Sequence, residues 1–282
     1  MTKNKEADVQ DANIRYHTKL AETYDQTQPQ FRPENVIQVR TRIEKFAKTT
    51  GGKRLLDIGC GTGFILLMAQ SCFEEIYGID ITMAMLDKAA SKLKEQKMNN
   101  ATLFQASSEK LPFPKSYFGV VTAYGVLHHL RSLLPTFREV YRILEEGGVF
   151  YTDLDPNYYF WKSMKSLSSD ENISELLETE RKSVCDIVEE VQHVVGSDLD
   201  SDTIKTAEYL KTKGGFKEET IKKMLHKVGF RDIHYEYTWY WQQGKVIRNL
   251  SLDAANYFEN HLRSALPLTR HFFKYIRIEA IK

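Results

Sequence analysis

Residues 55–63 read Leu-Leu-Asp-Ile-Gly-Cys-Gly-Thr-Gly, and seventeen positions beyond Gly63 a second apolar run, Ile76-Tyr-Gly-Ile-Asp80, closes on an acid. A strand that ends in closely spaced glycines and opens a helix lets backbone approach a ligand where a side chain would block it. A carboxylate at the tip of the next strand is placed to accept both hydroxyls of a ribose. The spacing, Asp57-x-Gly59-x-Gly61-x-Gly63, is not the Gly-x-Gly-x-x-Gly of dinucleotide enzymes, and no Gly-Lys-Ser/Thr holds a phosphate chain. The pattern asks for a nucleoside without a pyrophosphate.

Outward from this segment, strands and helices alternate. Strands are expected at Arg54–Ile58, Ile76–Ile81, Ala101–Ala106, Phe118–Tyr124 and Val149–Asp153. Between them lie helical stretches: Gly63 to about Ser71, Met83 to about Lys97 capped by Thr82, and about Ser132–Leu144, stopped by Gly147-Gly148. Such alternation implies a parallel sheet with helices on both faces. Residues 1–11 are polar and read as disordered. From Asn13 to about Lys48 the pattern is helical, broken at Gln28-Pro29 and Arg32-Pro33. Residues 156–215 interrupt the alternation, and Ile173 to Val195 forms a nearly helical apolar stripe that Gly196 ends. Asp198-Leu-Asp-Ser-Asp202 resembles a calcium loop but lacks its glycine and glutamate, so capping or a solvated turn is expected. After it come an amphipathic helix ended by Gly229, a strand at Arg231–Trp241, a helical stretch at Ser251–Ala265, and His271–Ile281, which alternates like an edge strand.

Asp57-Ile-Gly59-Cys-Gly61-Thr-Gly63 is similar to the first motif of class I S-adenosylmethionine (SAM) dependent methyltransferases. Asp80 matches that family's ribose-binding acid, and Leu111-Pro-Phe-Pro114 followed by Leu127-His-His-Leu130 resembles its small-molecule branch. The resemblance runs from about residue 12 to 153 and resumes at 216–282. It implies an α/β fold: a doubly wound, mostly parallel, seven-stranded Rossmann-like sheet whose last strand pair is an antiparallel hairpin. On this reading residues 1–48 are an N-terminal helical lid with Tyr16 and Tyr24 on its inner face. Residues 49–155 are the SAM-binding core, 156–215 an inserted helical cap, and 216–282 the C-terminal part of the core. The cofactor implied is SAM, with S-adenosylhomocysteine (SAH) as product.

The residue chemistry follows. Gly59, Cys60, Gly61 and Gly63 pass backbone beneath the methionine tail, where amide dipoles favour its carboxylate. Asp57 orients that loop or meets the ammonium through water. Asp80 takes the ribose diol, and Ile81 and Met85 cover an adenine face or pack in the core. The family often carries an adenine-binding acid where this chain has Ser107, so adenine leans on stacking and on the Ser108 backbone. Tyr124, Tyr16 and Tyr24 are candidates for a cation–π wall beside the sulfonium. His128 and His129 are general-base candidates, the alternative being a helix-start histidine bonded to backbone; Tyr16 joins them as a catalytic candidate. Tyr158, Tyr159 and Trp161 are expected to line the acceptor pocket if 156–215 is a cap. If it is instead a dimer arm, the stripe meets a second subunit.

Composition narrows the partners. Lys plus Arg (39) nearly equals Asp plus Glu (38), and no basic block suggests nucleic acid. The stretch 162–213 has 12 acids against 7 bases and should repel phosphate backbones. Cys60, Cys72 and Cys185 lack metal spacing and read as reduced thiols, so no metal is expected. The polar N-terminus lacks a signal-peptide core, and no run approaches a membrane span. The expectation is a cytoplasmic enzyme, monomer or homodimer, that methylates a small organic acceptor without nucleic acid or membrane partners. An RNA or protein methyltransferase and a non-catalytic SAM-binding regulator are the alternatives.

Overall fold

The computed structural model describes residues 5–167, 173–196 and 198–282. Helix α1 (Lys5–Leu20) leads through α2 (Tyr24–Thr27) to α3 (Pro33–Thr50). Then β1 (Arg54–Ile58), α4 (Phe64–Ala69), β2 (Glu75–Asp80), α5 (Met83–Glu95), β3 (Ala101–Gln105), β4 (Phe118–Tyr124), α6 (Leu133–Ile143) and β5 (Leu144–Pro156) alternate. Five helices interrupt: α7 (Tyr158–Ser166), α8 (Glu175–Cys185), α9 (Ile187–Val195), α10 (Ser201–Ala207) and α11 (Tyr209–Thr212). The chain closes with α12 (Glu218–Val228), β6 (Arg231–Tyr240), α13 (Gln243–Asn249), α14 (Leu252–Ser264) and β7 (Phe273–Ile281).

The seven strands form one sheet in the order β3-β2-β1-β4-β5-β7-β6. The first five are parallel, and β7 runs antiparallel to both β5 and β6. The order reverses between β1 and β4, and in a doubly wound sheet that is where a ligand finds a crevice beyond the strand ends. Successive residues face opposite layers: Leu55 packs with Val39, Ile43 and Phe46 of α3, and Leu56 with Phe137 of α6 and Leu225 of α12. Helices on both faces make the central strands apolar throughout, and all seven β4 residues are buried.

Several expectations need correction. Residues 5–11 are helical, because Val9, Ala12, Asn13, Tyr16 and Leu20 extend one buried stripe upstream; residues 1–4 lie outside the described residues. Helix α6 ends at Ile143, not at the glycine pair. The Leu144 amide closes it on Val140 and the backbone turns straight into β5, where a bulge resets the register against β4. Thr82 stands at the α5 N-cap but its hydroxyl makes no cap bond. Strand β7 is not at the edge: β6 pairs along its outer side. The single stripe at Ile173–Val195 is two helices, since Asp186 closes α8 on Lys182 and leaves helical conformation. The break lets Val184 of α8 pack on Phe160, Trp161 and Met164 of α7 while Ile187 and Val191 of α9 face α1. Asp200 caps α10 by accepting the Thr203 amide at 2.8 Å, and Asp198 pairs with Lys19.

Beneath the antiparallel end lies a buried ion pair. Arg277 Nε donates to Asp153 Oδ2 at 2.5 Å, and the guanidinium also meets Glu236 at 3.0 Å. Asp153 further accepts the Leu154 amide and the Tyr151 hydroxyl. Removing one member strands a buried charge. Arg277→Met should therefore cost about 3–5 kcal/mol in urea unfolding. Arg15→Met, which breaks an exposed pair with Asp200, should cost about 0–1 kcal/mol.

Candidate active site

The turn after β1 is shaped by what it excludes. Gly59 has φ +63°, and a Cβ there would stand 2.5 Å from Val126 Cγ2. Gly61, also left-handed, donates its amide to Asp80 Oδ2 at 3.0 Å, while Asp80 Oδ1 accepts the Thr82 amide at 2.8 Å. The Asp80 carboxylate thus clamps the glycine turn to the start of α5 and still faces the cleft. Below the turn, Asp57 is buried and accepts the Thr122 hydroxyl at 2.6 Å; burial pushes its carboxyl up to about 7.

A narrow cleft of about 90 Å³ lies over this turn. Tyr24, Gly59, Gly61, Asp80, Ile81, Met85, Ser107, Ser108, Tyr124 and His129 all line it. Helix α1 forms its roof with Val9, Gln10, Asn13 and His17, and the Gln10 amide donates to the Ser107 hydroxyl at 3.2 Å. Three of the expected cofactor residues stand behind the wall. Asp57 and Cys60 are buried, Cys60 against the sheet, and Gly63 starts α4. The donor set suits SAM: a glycine floor that a Cβ would fill, an acid beside it, and apolar faces at Ile81 and Met85.

A second cavity of about 360 Å³ adjoins the first and shares His17, Tyr24, Gly125 and His129 with it. Here the structure gathers residues far apart in sequence. Tyr16, His128, Trp161, Glu180, Glu190, Glu208, Lys211, Trp239, Lys274 and Tyr275 all face it. Tyr16 is outside the cofactor cleft; its hydroxyl donates to Glu208 Oε1 at 2.9 Å. Tyr158 and Tyr159 line neither cavity, contrary to expectation. The Lys217 ammonium lies over the Tyr158 ring at 4.3 Å and the Arg270 guanidinium over Tyr159 at 3.4 Å, holding both on the outer side of α7. Trp161, one helical turn away from Tyr158, does reach the cavity.

Glu208 organises the inner wall. Its other oxygen, Oε2, lies 3.4 Å from Lys211 Nζ and 3.7 Å from His128 Nε2. Burial alone would raise its carboxyl, but Lys211, His129, His128 and the Tyr16 hydroxyl together hold it well below the usual range. His128 faces Asp155 through Nδ1 at 2.9 Å, and Asp155 also accepts the Thr152 hydroxyl. His129 Nδ1 lies 2.9 Å from the Ala207 carbonyl. A carbonyl only accepts, so Nδ1 carries the proton and Nε2 keeps its lone pair. Burial depresses both imidazoles, His128 to about 4, so both are uncharged at neutral pH. His128, His129 and Glu208 bring ligand atoms within 4.8 Å of one another. Lys211 Nζ, 3.4 Å from Glu208 Oε2, already places a positive charge beside this cluster.

Sequence reasoning did not single out Gln10, Glu180, Glu190, Glu208 or Lys211. Backbone strain marks the cavity as well: Leu154 (φ +63°) and Trp239 (φ +56°) are left-handed non-glycine residues on its wall. Such positions persist where the surroundings hold them and cluster at functional sites.

Comparison with known proteins gives a consistent picture. Residues 56–152 match the family described as a methyltransferase domain. The Bacillus subtilis protein named uncharacterized methyltransferase YcgJ is 34% identical over 106 residues, 38% of this chain and 42% of its own length. The demethylmenaquinone methyltransferase of Listeria welshimeri is 28% identical over 169 residues, 58% of this chain and 70% of that protein. Among solved structures, phosphoethanolamine N-methyltransferase 2 of Haemonchus contortus in complex with SAM superposes with a TM-score of 0.52 at 18% identity. That match covers 93% of this chain and 60% of the other, and it is a likeness of fold.

Two outcomes test the site. Asp80→Ala should weaken SAH binding by about 10- to 100-fold for each charge-assisted hydrogen bond lost, read by calorimetry. Asp80→Asn should fall between the variant and wild type, and unchanged affinity in both folded variants would overturn the assignment. For pH, an imidazole lowered to about 4 from its ordinary 6.5 stays neutral while the unfolded chain takes a proton. The contribution of neutral His128 is therefore full above pH 6.5 and is lost as pH falls toward 4. The difference in unfolding free energy between wild type and His128→Asn should shrink across that window.

Proposed function

We propose that the chain is a class I SAM-dependent methyltransferase and that it methylates a small organic molecule seated in the second cavity. One observation carries this reading. The cofactor cleft shares His17, Tyr24, Gly125 and His129 with a larger neighbouring cavity; α1 lines both, and the inserted helices line the larger one. SAM supplies an electrophilic methyl: an acceptor lone pair bonds to the methyl carbon while the carbon–sulfur electron pair withdraws to sulfur, releasing SAH. The chain's own contribution is alignment and exclusion of water. Gly59, Gly61 and Asp80 would fix the cofactor, Tyr24 and Tyr124 would flank its cationic end, and Ile81, Met85, Ser107 and Ser108 would take the adenine. His129, reaching both cavities, is placed to receive a proton from the acceptor, beside Glu208, which meets both His128 and Tyr16.

In this reading residues 1–32 act as a lid and 156–215 as a cap whose Trp161 contacts the acceptor. Packing within one chain favours the cap over a dimer arm. Ile187, Val191, Ile204 and Ala207 of the insert bury against Ala12, Tyr16 and Leu20 of α1. Relatives named for demethylmenaquinone and for phosphoethanolamine also favour a small-molecule acceptor.

Methyl-labelled SAM added to a metabolite extract should place label in small molecules and not in protein or RNA; label confined to macromolecules would overturn the reading. With SAH bound, hydrogen exchange should slow across α1 as well as at the strand ends. Protection limited to the sheet would remove the lid role.

A further inference from the structure

We propose that the acceptor is an organic amine held as its ammonium between the aromatic and carboxylate walls of the second cavity, and that methylation falls on nitrogen. This rests on the methyltransferase reading and narrows it to a substrate class. Three observations point the same way.

The first is charge. Three carboxylates face the cavity, and two already have ammonium partners: Glu180 with Lys274 at 2.5 Å and Glu208 with Lys211 at 3.4 Å. Glu190 makes no ion pair within 4 Å among the described residues, although Lys211 and Lys274 both act on it at longer range. Arg32, the remaining cation of the lining, stands 5.7 Å over the Trp239 ring.

The second is the aromatic wall. Tyr275 lies between Trp161 and Trp239, with ring centroids 6.0 Å and 5.9 Å away and planes inclined at 50° and 85°. All three rings belong to the cavity lining, and ring faces attract alkylammonium charge.

The third is hydrogen-bond polarity. Gln30 Oε1, buried on this lining, makes no hydrogen bond, and His129 Nε2 offers a lone pair. Both accept. A ligand that satisfies them must bring donors, as an ammonium does and an ether or carboxylate does not.

The proton balance is closed by the same residues. The ammonium gives one proton to His129 Nε2, and the freed nitrogen lone pair forms the bond to the methyl carbon. The carbon–sulfur pair stays on sulfur as SAH, and the imidazolium returns its proton to solvent. Burial lowers the basicity of His129, so this proton transfer runs uphill and is drawn forward by the methyl transfer that consumes the free amine.

Intrinsic tryptophan fluorescence of the full chain with SAH bound tests the site directly, since two of the three tryptophans line it. At constant ionic strength, n-butylammonium chloride should give a saturable change, tetramethylammonium chloride, which brings charge but no N–H, a weaker one, and n-butanol and butyrate none. Glu190→Gln and Trp161→Leu should each weaken the ammonium response by about 3- to 30-fold with SAH affinity unchanged. Glu190 is an exposed position, so that variant carries the test if the Trp161 variant does not fold. Equal responses to butanol or butyrate, no response to either ammonium, or variants without effect would overturn the proposal. A parallel arm locates the label from methyl-labelled SAM in a metabolite extract. Label on nitrogen supports the amine; label on oxygen, carbon or sulfur overturns the amine but keeps small-molecule methyl transfer. No label in any small molecule overturns the underlying reading.

Discussion

A carboxylate shut away from water is the constraint on which the second cavity depends. Glu208 is 4% exposed, and an ionised group at that depth persists only if surrounding charges and donors compensate its lost hydration. Compensation comes from three parts of the chain at once: Tyr16 from α1, His128 and His129 after β4, and Lys211 from α11. Satisfying one side chain therefore fixes how the N-terminal helix, the sheet and the inserted helices stand together. The same requirement keeps the imidazoles facing inward with their Nδ1 atoms on Asp155 and on the Ala207 carbonyl.

The cofactor side is organised on a different principle. There the backbone does most of the shaping: a left-handed turn at Gly59 pressed against Val126, and Asp80 holding two amides. Backbone-built cradles depend on a few obligatory residues in fixed order. Side-chain-built cavities, like that around Glu208, depend on residues scattered through the chain.

That difference explains what the sequence revealed. Gly59, Gly61 and Asp80 sit within twenty-two residues of one another and carry a spacing that few other folds need, so the cleft and the parallel sheet were legible. Strand order beyond β5 was not: Phe273–Ile281 has the alternation of an outer strand, and only its pairing with β6 places it inside the sheet. Glu208, Glu190 and Glu180 looked like ordinary acids of an acidic helical stretch, because burial depends on what packs over them. Tyr158 and Tyr159 misled for a related reason. Asn157 caps α7 and sets the phase of the helix, so the tyrosines turn toward Lys217 and Arg270 while Trp161 turns inward.

The bond between Gln10 and Ser107 has a kinetic corollary. Helix α1 lies over the cofactor cleft through that bond, and the same helix walls the neighbouring cavity through the Tyr16–Glu208 bond. One helix borders both chambers, so a motion of α1 that admits a nucleoside would open the acceptor chamber as well, and the two would close together.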